Sequence, residues 1–182
     1  MKKLLLSLCF CSAFACAEIT PASVKDMIKG HGISAFQAQL NESDWYDIIV
    51  TKIAQGDADW IATIPWLKDI PDDKKKAALV ESAQRGLIRN PKAMLHILSS
   101  IDMMTYAGKV ESFDTDNICF GSLPGMSKKS YLLFYAATKH ALSDVNNIAV
   151  KCRWVLESIH DEIMNDDRNG LMKWGTRSVP GY

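Results

Sequence analysis

Apolar residues recur at intervals of three and four positions through most of this chain. That spacing brings side chains onto one face of an α-helix, whereas a half-buried strand alternates apolar and polar residues. Valine, isoleucine and threonine do not concentrate into such alternating runs. The longest stripe, near the end of the chain, consists of Val145, Ile148, Cys152, Val155, Leu156, Ile159 and Ile163. The pattern predicts an all-α fold.

Capping residues, prolines and glycines divide this pattern into separate helices. Aspartate, asparagine or serine precedes several stripes and proline opens others, while glycine follows their ends. Pro65 lies inside one stripe and should kink or shorten that helix. The helices predicted in this way cover 21–29, 33–40, 43–55, 58–67, 71–89, 91–104, 127–142 and 148–164.

These helices are expected to form a single domain over 18–182, a compact bundle of about six to eight helices. Residues 105–126 hold three glycines and a proline and are predicted to form a long loop. A weak repeat leaves a second architecture open. Ala54-Gln55-Gly56 and Ala83-Gln84-Arg85-Gly86 lie about 30 residues apart, each before a new helix, as in stacked hairpins of the α-solenoid kind.

Residues 1–17 have the layout of a bacterial secretory signal peptide. Two lysines precede an apolar run over 4–14, and a triplet of small residues ends the segment. The run is shorter than the ~20 residues that a membrane-spanning helix needs. We therefore expect cleavage after Ala17 and a periplasmic protein. Lipid attachment at Cys16 is the alternative, and bulky Phe14 fits a lipobox less well.

Cleavage would leave two cysteines, Cys119 and Cys152, in an oxidising compartment. An even pair there predicts a disulfide, with two buried free thiols as the alternative. The bond would close a loop of 34 residues. On the chain-entropy model such a bond contributes ~3 to 4 kcal/mol to the free energy of unfolding.

Composition and charge exclude several classes of protein. Apolar residues make up 48% of the chain, which excludes intrinsic disorder. The 21 basic residues equal the 21 acidic ones, and removing 1–17 leaves 19 basic residues and a net charge of −2. A protein that binds nucleic acid by bulk charge would be strongly basic, so no nucleic-acid partner is expected.

No catalytic, metal or cofactor motif is complete in the sequence. The four histidines lack zinc-site spacing, and there is neither a nucleophile elbow nor a glycine-rich phosphate loop. Residues 165–170 resemble the first half of a calcium loop, but Thr176 stands where the bidentate Glu would be. A helix terminator is the simpler interpretation. We therefore expect no catalytic residue, metal or cofactor.

Tryptophans and acidic residues concentrate over 44–69, and two further acids lie in the predicted loop. Aromatic residues beside charged ones are typical of protein-binding surfaces, although a helical core can also absorb tryptophans. The candidate partner-binding residues are Asp44, Trp45, Asp47, Asp57, Asp59, Trp60, Trp66, Asp114 and Asp116. Their negative charge would suit a basic protein partner.

The expected function is therefore binding rather than catalysis. An exported helical domain with a disulfide and no catalytic motif would suit a periplasmic immunity or inhibitor protein that neutralises a toxin. Two alternatives remain open. One is a cell-wall hydrolase that uses acids such as Glu42, Asp44 and Asp47, and the other is an assembly factor for an envelope structure.

Overall fold

The computed structural model describes residues 19–105, 113–121, 125–145 and 147–178, and over these residues the chain is all-α. The signal peptide expected at 1–17, with Cys16, lies outside them. No helix among the described residues has both the length and the apolar character needed to cross a membrane. The α-helices are α1 Pro21–His31, α2 Ile33–Gln39, α3 Thr51–Ala54, α4 Ala58–Ile61, α5 Ile64–Leu67, α6 Asp73–Arg89, α7 Pro91–Thr105, α8 Thr115–Phe120, α9 Lys128–Ser143 and α10 Val150–Arg168. A π-helix, Asp44–Val50, runs into α3, and a 3₁₀ turn, Asn147–Ala149, leads into α10.

Polar side chains cap the helices much as the sequence predicts. Thr20 and Ser23 form a reciprocal capping box at α1, and Asp72 accepts two backbone amides at the start of α6. Pro65 lies in the first turn of α5, where its missing N–H costs nothing. The helix predicted over 58–67 is consequently split into α4 and α5, as expected from a proline at that point.

Helix α6 is the centre of the bundle. It packs against the π-helix, α3, α7, α8 and α9. Its closest approach is at Gly86, where an added Cβ would meet the backbone oxygen of Ile53 at 2.6 Å and the Met94 side chain at 3.0 Å. Only glycine lets α3 come this close to α6, so the core is fixed at this point by backbone contact.

The contacts of α6 identify the architecture as a bundle and not a solenoid. In a solenoid each repeat contacts only its neighbours along the chain. Here α6 packs directly against α9, although α7 and α8 lie between them in sequence. The weak repeat around Gly56 and Gly86 is therefore not a repeating unit, since Gly56 follows the end of α3 whereas Gly86 lies inside α6.

Part of the segment predicted as a loop over 105–126 is helical, which corrects that prediction. Asp114 caps α8 by accepting the backbone amide of Asn117 at 2.8 Å. Ile118 and Cys119 are buried against the rest of the bundle. A six-residue helix is too short for an apolar stripe to be visible in sequence, and tertiary burial stabilises it.

A disulfide between Cys119 and Cys152 joins α8 to α10, with 5.4 Å between the two Cα atoms. The predicted pairing is therefore present in the structure. Gly121 ends α8 with φ of 65°, and a side chain there would collide with the Phe134 ring. The disulfide to α10 and the close contact of Gly121 with Phe134 of α9 hold α8 against the bundle.

The segment that follows α10 lies back along the start of α9. Met126 and Arg177 form an isolated parallel β-bridge, and the Trp174 indole N–H donates to Asp167. Asp167 also pairs with Lys128 at 2.6 Å. Because Asp167 is occupied in this way and α10 ends at Arg168, the structure favours the helix-terminator interpretation of residues 165–170.

Candidate functional site

The tryptophans predicted to bind a partner are mostly core residues, which corrects that part of the prediction. Trp45 is fully buried and Trp60 is 6% exposed, so neither offers its ring to a partner. Trp66 is 37% exposed, and the Lys29 ammonium lies 5.1 Å from the centre of its ring. Dense aromatics over 44–69 therefore build the core, because short helices in this segment need large side chains to bury enough surface.

The acidic residues of the same segment make local hydrogen bonds. Asp57 caps α4 by accepting the amides of Asp59 and Trp60. Asp44 accepts the side-chain amide of Asn41 at 2.7 Å, and Asp47 accepts the Ser43 hydroxyl at 2.7 Å. These contacts are the ones that helix starts require, so their presence needs no partner.

The other two predicted acids lie where α7, α8 and α10 meet. Asp116 pairs with Lys151 at 3.1 Å, and the same ammonium pairs with Asp102 of α7 at 2.9 Å. Asp102 also accepts the backbone amide of Thr115 at 3.0 Å. Asp114 is the cap of α8, one residue earlier. The structure thus brings three carboxylates and one ammonium together at the start of α8.

Large apolar side chains on the two helices that supply Asp102 and Lys151 face solvent. Met103 is 70% exposed and Met104 is 61% exposed, directly after Asp102 on α7. On α10, Val150 is 57% exposed and Trp154 is 70% exposed, one turn apart on either side of Lys151. We call Met103, Met104, Val150, Trp154 and the ion cluster of Asp102, Asp114, Asp116 and Lys151 the Trp154 surface. Exposed methionine and tryptophan side chains are typical of interfaces.

A cleft of about 280 Å³ runs along one side of this surface, between α8 and α10. Phe120 and Trp154 contribute its aromatic walls, and Asp116 and Ser158 contribute polar groups. The Cys119–Cys152 disulfide joins the two helices that form this cleft and limits how far they can move apart. The cleft is therefore preformed and could take one apolar side chain of a partner.

The ion cluster carries net negative charge at neutral pH. Burial disfavours the charged form of Asp102, but the Thr115 amide and the Lys151 ammonium outweigh burial and lower its pKa. Burial also disfavours charged Lys151, yet its contacts with Asp102 and Asp116 raise its pKa. The Lys151 ammonium therefore pairs with two carboxylates, Asp102 and Asp116, and Asp114 adds a third at the start of α8, so the formal charge of these four groups is negative.

Asp114 and Asp116 of the Trp154 surface were among the residues predicted from sequence, whereas Trp154 was not. The buried stripe of α10 includes Cys152, and Trp154 stands two residues later. At 100° per residue, the Trp154 side chain points about 200° around the helix from that of Cys152. A tryptophan off the apolar face of a well-defined helix is the pattern that could have identified this residue.

A second polar cluster joins α9 to α10. Tyr135 donates to Glu157 at 2.6 Å, Lys139 donates to the Tyr135 oxygen at 3.0 Å, and the Tyr135 ring stacks on His160 at 3.6 Å. Burial raises the pKa of Tyr131 to about 12 and lowers the pKa of His160. The bond to Lys139 lowers the pKa of Glu157. These groups hydrogen-bond one another across the helix pair, so the cluster fastens α9 to α10.

Within the described ranges, no group of three or more His, Cys, Asp and Glu side chains is placed to hold a metal ion. Comparison of the chain with protein-family models, curated proteins and solved structures gives no match. Its function is therefore inferred from the chemistry of its own residues.

Proposed function

We propose that the protein binds another protein through the Trp154 surface. The observation that supports this most directly is the exposure of four large apolar side chains on α7 and α10, the two helices that the Asp102–Lys151 ion pair joins. Exposing such side chains to water is unfavourable, and a partner would remove that exposure. The partner would present basic groups beside apolar ones, because it must match the negative charge next to Trp154.

The proposed partner is a toxin, and the protein is its exported immunity or inhibitor protein. Inhibition by occlusion needs a rigid, preorganised surface and no chemistry of its own. The disulfide beneath α8 supplies that rigidity, which reduces the ordering cost of binding. Export to the periplasm, expected from residues 1–17, would place the protein where a delivered toxin acts.

Site-specific crosslinking tests the proposal. A photoreactive amino acid is introduced in producing cells at Ser158, which lines the cleft, or at Ser34, an exposed serine of α2. We expect a discrete crosslinked product from position 158 and none from position 34. Mass spectrometry would identify the partner, which can then be purified.

Binding to the purified partner then measures the contribution of Trp154. Trp154→Ala should weaken affinity about 30-fold, as for a hot-spot tryptophan worth ~2 kcal/mol. Trp66→Ala removes a less exposed tryptophan from another part of the chain and should leave affinity unchanged. Equal crosslinking from both serines, or equal loss in both tryptophan variants, would refute the proposed site.

Three assays distinguish the alternative functions. Hydrolysis of purified peptidoglycan, lost on Glu42→Gln, would favour a cell-wall hydrolase. Loss of an envelope structure on deletion, without change in toxin sensitivity, would favour an assembly factor. Protection of cells from the crosslinked partner, lost with Trp154→Ala, would support the immunity function.

A further inference from the structure

A cavity of about 550 Å³ lies between the π-helix–α3 segment and α6, and the Trp154 surface does not contribute to it. Its volume falls within the range of small-molecule sites, which is about 300–1,000 Å³. Val50, Ala54 and Ala78 make the wall apolar. Hydroxyl groups of Tyr46 and Ser82 lie among them. This combination is typical of a site that takes an apolar body with a polar end.

The polar end of this cavity is cationic. Glu81, Arg85 and Arg89 stand at intervals of four on α6 and all line it. The Glu81 carboxylate pairs with Arg85 at 2.6 Å and also with Arg177 from the segment after α10. Arg85 and Arg177 therefore share one carboxylate, and Arg89 lines the cavity one turn beyond Arg85, so the formal charges of these four side chains sum to +2. A guanidinium group matches carboxylate and phosphate oxygens with paired hydrogen bonds.

The opposite wall has an uncommon backbone. Tyr46 and Val50 belong to the π-helix, a rare conformation that is frequently found at functional sites. The Thr51 hydroxyl donates to the Tyr46 carbonyl oxygen at 2.8 Å and satisfies it within this irregular turn. The π-helix thus holds Tyr46 and Val50 on the cavity side while Trp45 and Ile49 remain in the core.

We propose that this cavity binds a small molecule in which an oxyanion, a carboxylate or a phosphate, is joined to an apolar body. The oxyanion pairs with Arg89 at the rim, and the apolar body lies against Val50, Ala54 and Ala78. This site is separate from the proposed protein-binding function, so either can hold without the other.

Calorimetric titration of the purified protein with three eight-carbon probes tests the site. Octanoate carries a carboxylate, octyl phosphate carries a phosphate, and octanol has the same chain without charge. We expect saturable binding of at least one anion and at least about tenfold weaker binding of octanol, since a charge-assisted hydrogen bond is lost. Binding of octanoate alone would identify a carboxylate ligand, and binding of octyl phosphate alone would identify a phosphate ligand.

Two variants locate the binding. Arg89→Gln should weaken the bound anion about tenfold or more, whereas Arg168→Gln removes the same charge from the exposed end of α10 and should change nothing. Ala78→Leu narrows the cavity without altering charge and should also weaken binding. Circular dichroism confirms that each variant is folded. No saturable binding of either anion, octanol binding as tightly as the anions, or equal affinity in the two arginine variants would overturn the proposal.

Discussion

Trp45 and Trp154 occupy opposite environments, although both lie on helices beside acidic residues. Trp45 is fully buried, whereas Trp154 is 70% exposed. The segment 44–69 has four aromatics in a short stretch and buries two of them, Trp45 and Trp60. The Trp154 surface assembles a few apolar residues from α7 and α10, far apart in sequence. In this chain, Trp45 and Trp60 of the aromatic cluster belong to the core. Trp154, which lies outside the buried stripe of its helix, belongs to the surface.

The largest expected effect separates these two tryptophans directly. Trp45→Ala removes a fully buried indole and should lower the free energy of unfolding by about 3–5 kcal/mol. Trp154→Ala should change it by less than about 0.5 kcal/mol, because the side chain is mostly in water. Thermal melts followed by circular dichroism measure both. Similar losses in the two variants would show that the two regions do not differ in this way.

Trp45→Phe is the matched control for the buried site. The Trp45 indole N–H is buried and has no hydrogen-bond partner among the described residues. Phenylalanine retains most of the apolar volume and removes this unsatisfied donor, so its cost should be much smaller than that of alanine. A loss as large as that of alanine would mean that the indole makes a contact essential to the fold.

The second expected effect concerns the disulfide, which joins α8 to α10 and lies outside the segment 44–69. Replacing both Cys119 and Cys152 by alanine should cost about 3–4 kcal/mol on the chain-entropy model. The melting midpoint should fall by about 10 °C, since 1 kcal/mol corresponds to about 2–4 °C at this size. Titration of the unfolded, unreduced wild-type protein should detect no free thiol from this pair.

Hydrogen exchange would show where the disulfide acts. Loss of the bond should raise amide exchange in α8, which it ties to α10, and change the segment 44–69 far less. Uniform acceleration throughout the chain would indicate that the bond stabilises the whole domain equally. In that case it would not be a specific support of the Trp154 surface.

Much of the fold could be predicted from sequence because the spacing of apolar residues and the capping residues indicate where helices lie. The stripe containing Cys152 predicted α10, and Pro65 predicted the break between α4 and α5. The pairing of Cys119 with Cys152 followed from an even count. Helix α8 was missed because six residues are too few for a periodic pattern, and its stability comes from the bundle and the disulfide.

The surface was harder to predict because exposure depends on which elements pack together. Asp114 and Asp116 could be identified as acids in a distinctive segment, but their neighbours on α7 and α10 are set by tertiary contacts. The π-helix was also invisible, since its residues carry ordinary helical spacing. In this segment Tyr46 and Val50 line the cavity, whereas Trp45 and Ile49 are buried in the core.

A smaller effect is expected at the backbone contact between α3, in the segment 44–69, and α6. Gly86→Ala would place a Cβ 2.6 Å from the Ile53 oxygen, and overpacking of this kind costs about 1–3 kcal/mol. Gly30→Ala in α1 meets nothing within 4 Å and should instead stabilise by up to about 1 kcal/mol. Urea unfolding measures both. Stabilisation by both substitutions would show that α3 can move away from α6 at little cost.

The smallest effect on stability, and a clear one on binding, is expected from Asp116→Asn. Asp116 lies in the first turn of α8, as Asp59 lies in the first turn of α4, so Asp59→Asn is a control with the same helix-dipole cost. Both should alter stability by less than about 1 kcal/mol.

Only Asp116→Asn removes charge from the Trp154 surface, so only it should slow association with the crosslinked partner. That difference should shrink as salt is added, because screening weakens the attraction. Stopped-flow association at low and high salt measures it, and equal rates for the two variants at low salt would show that the acidic cluster does not guide the partner.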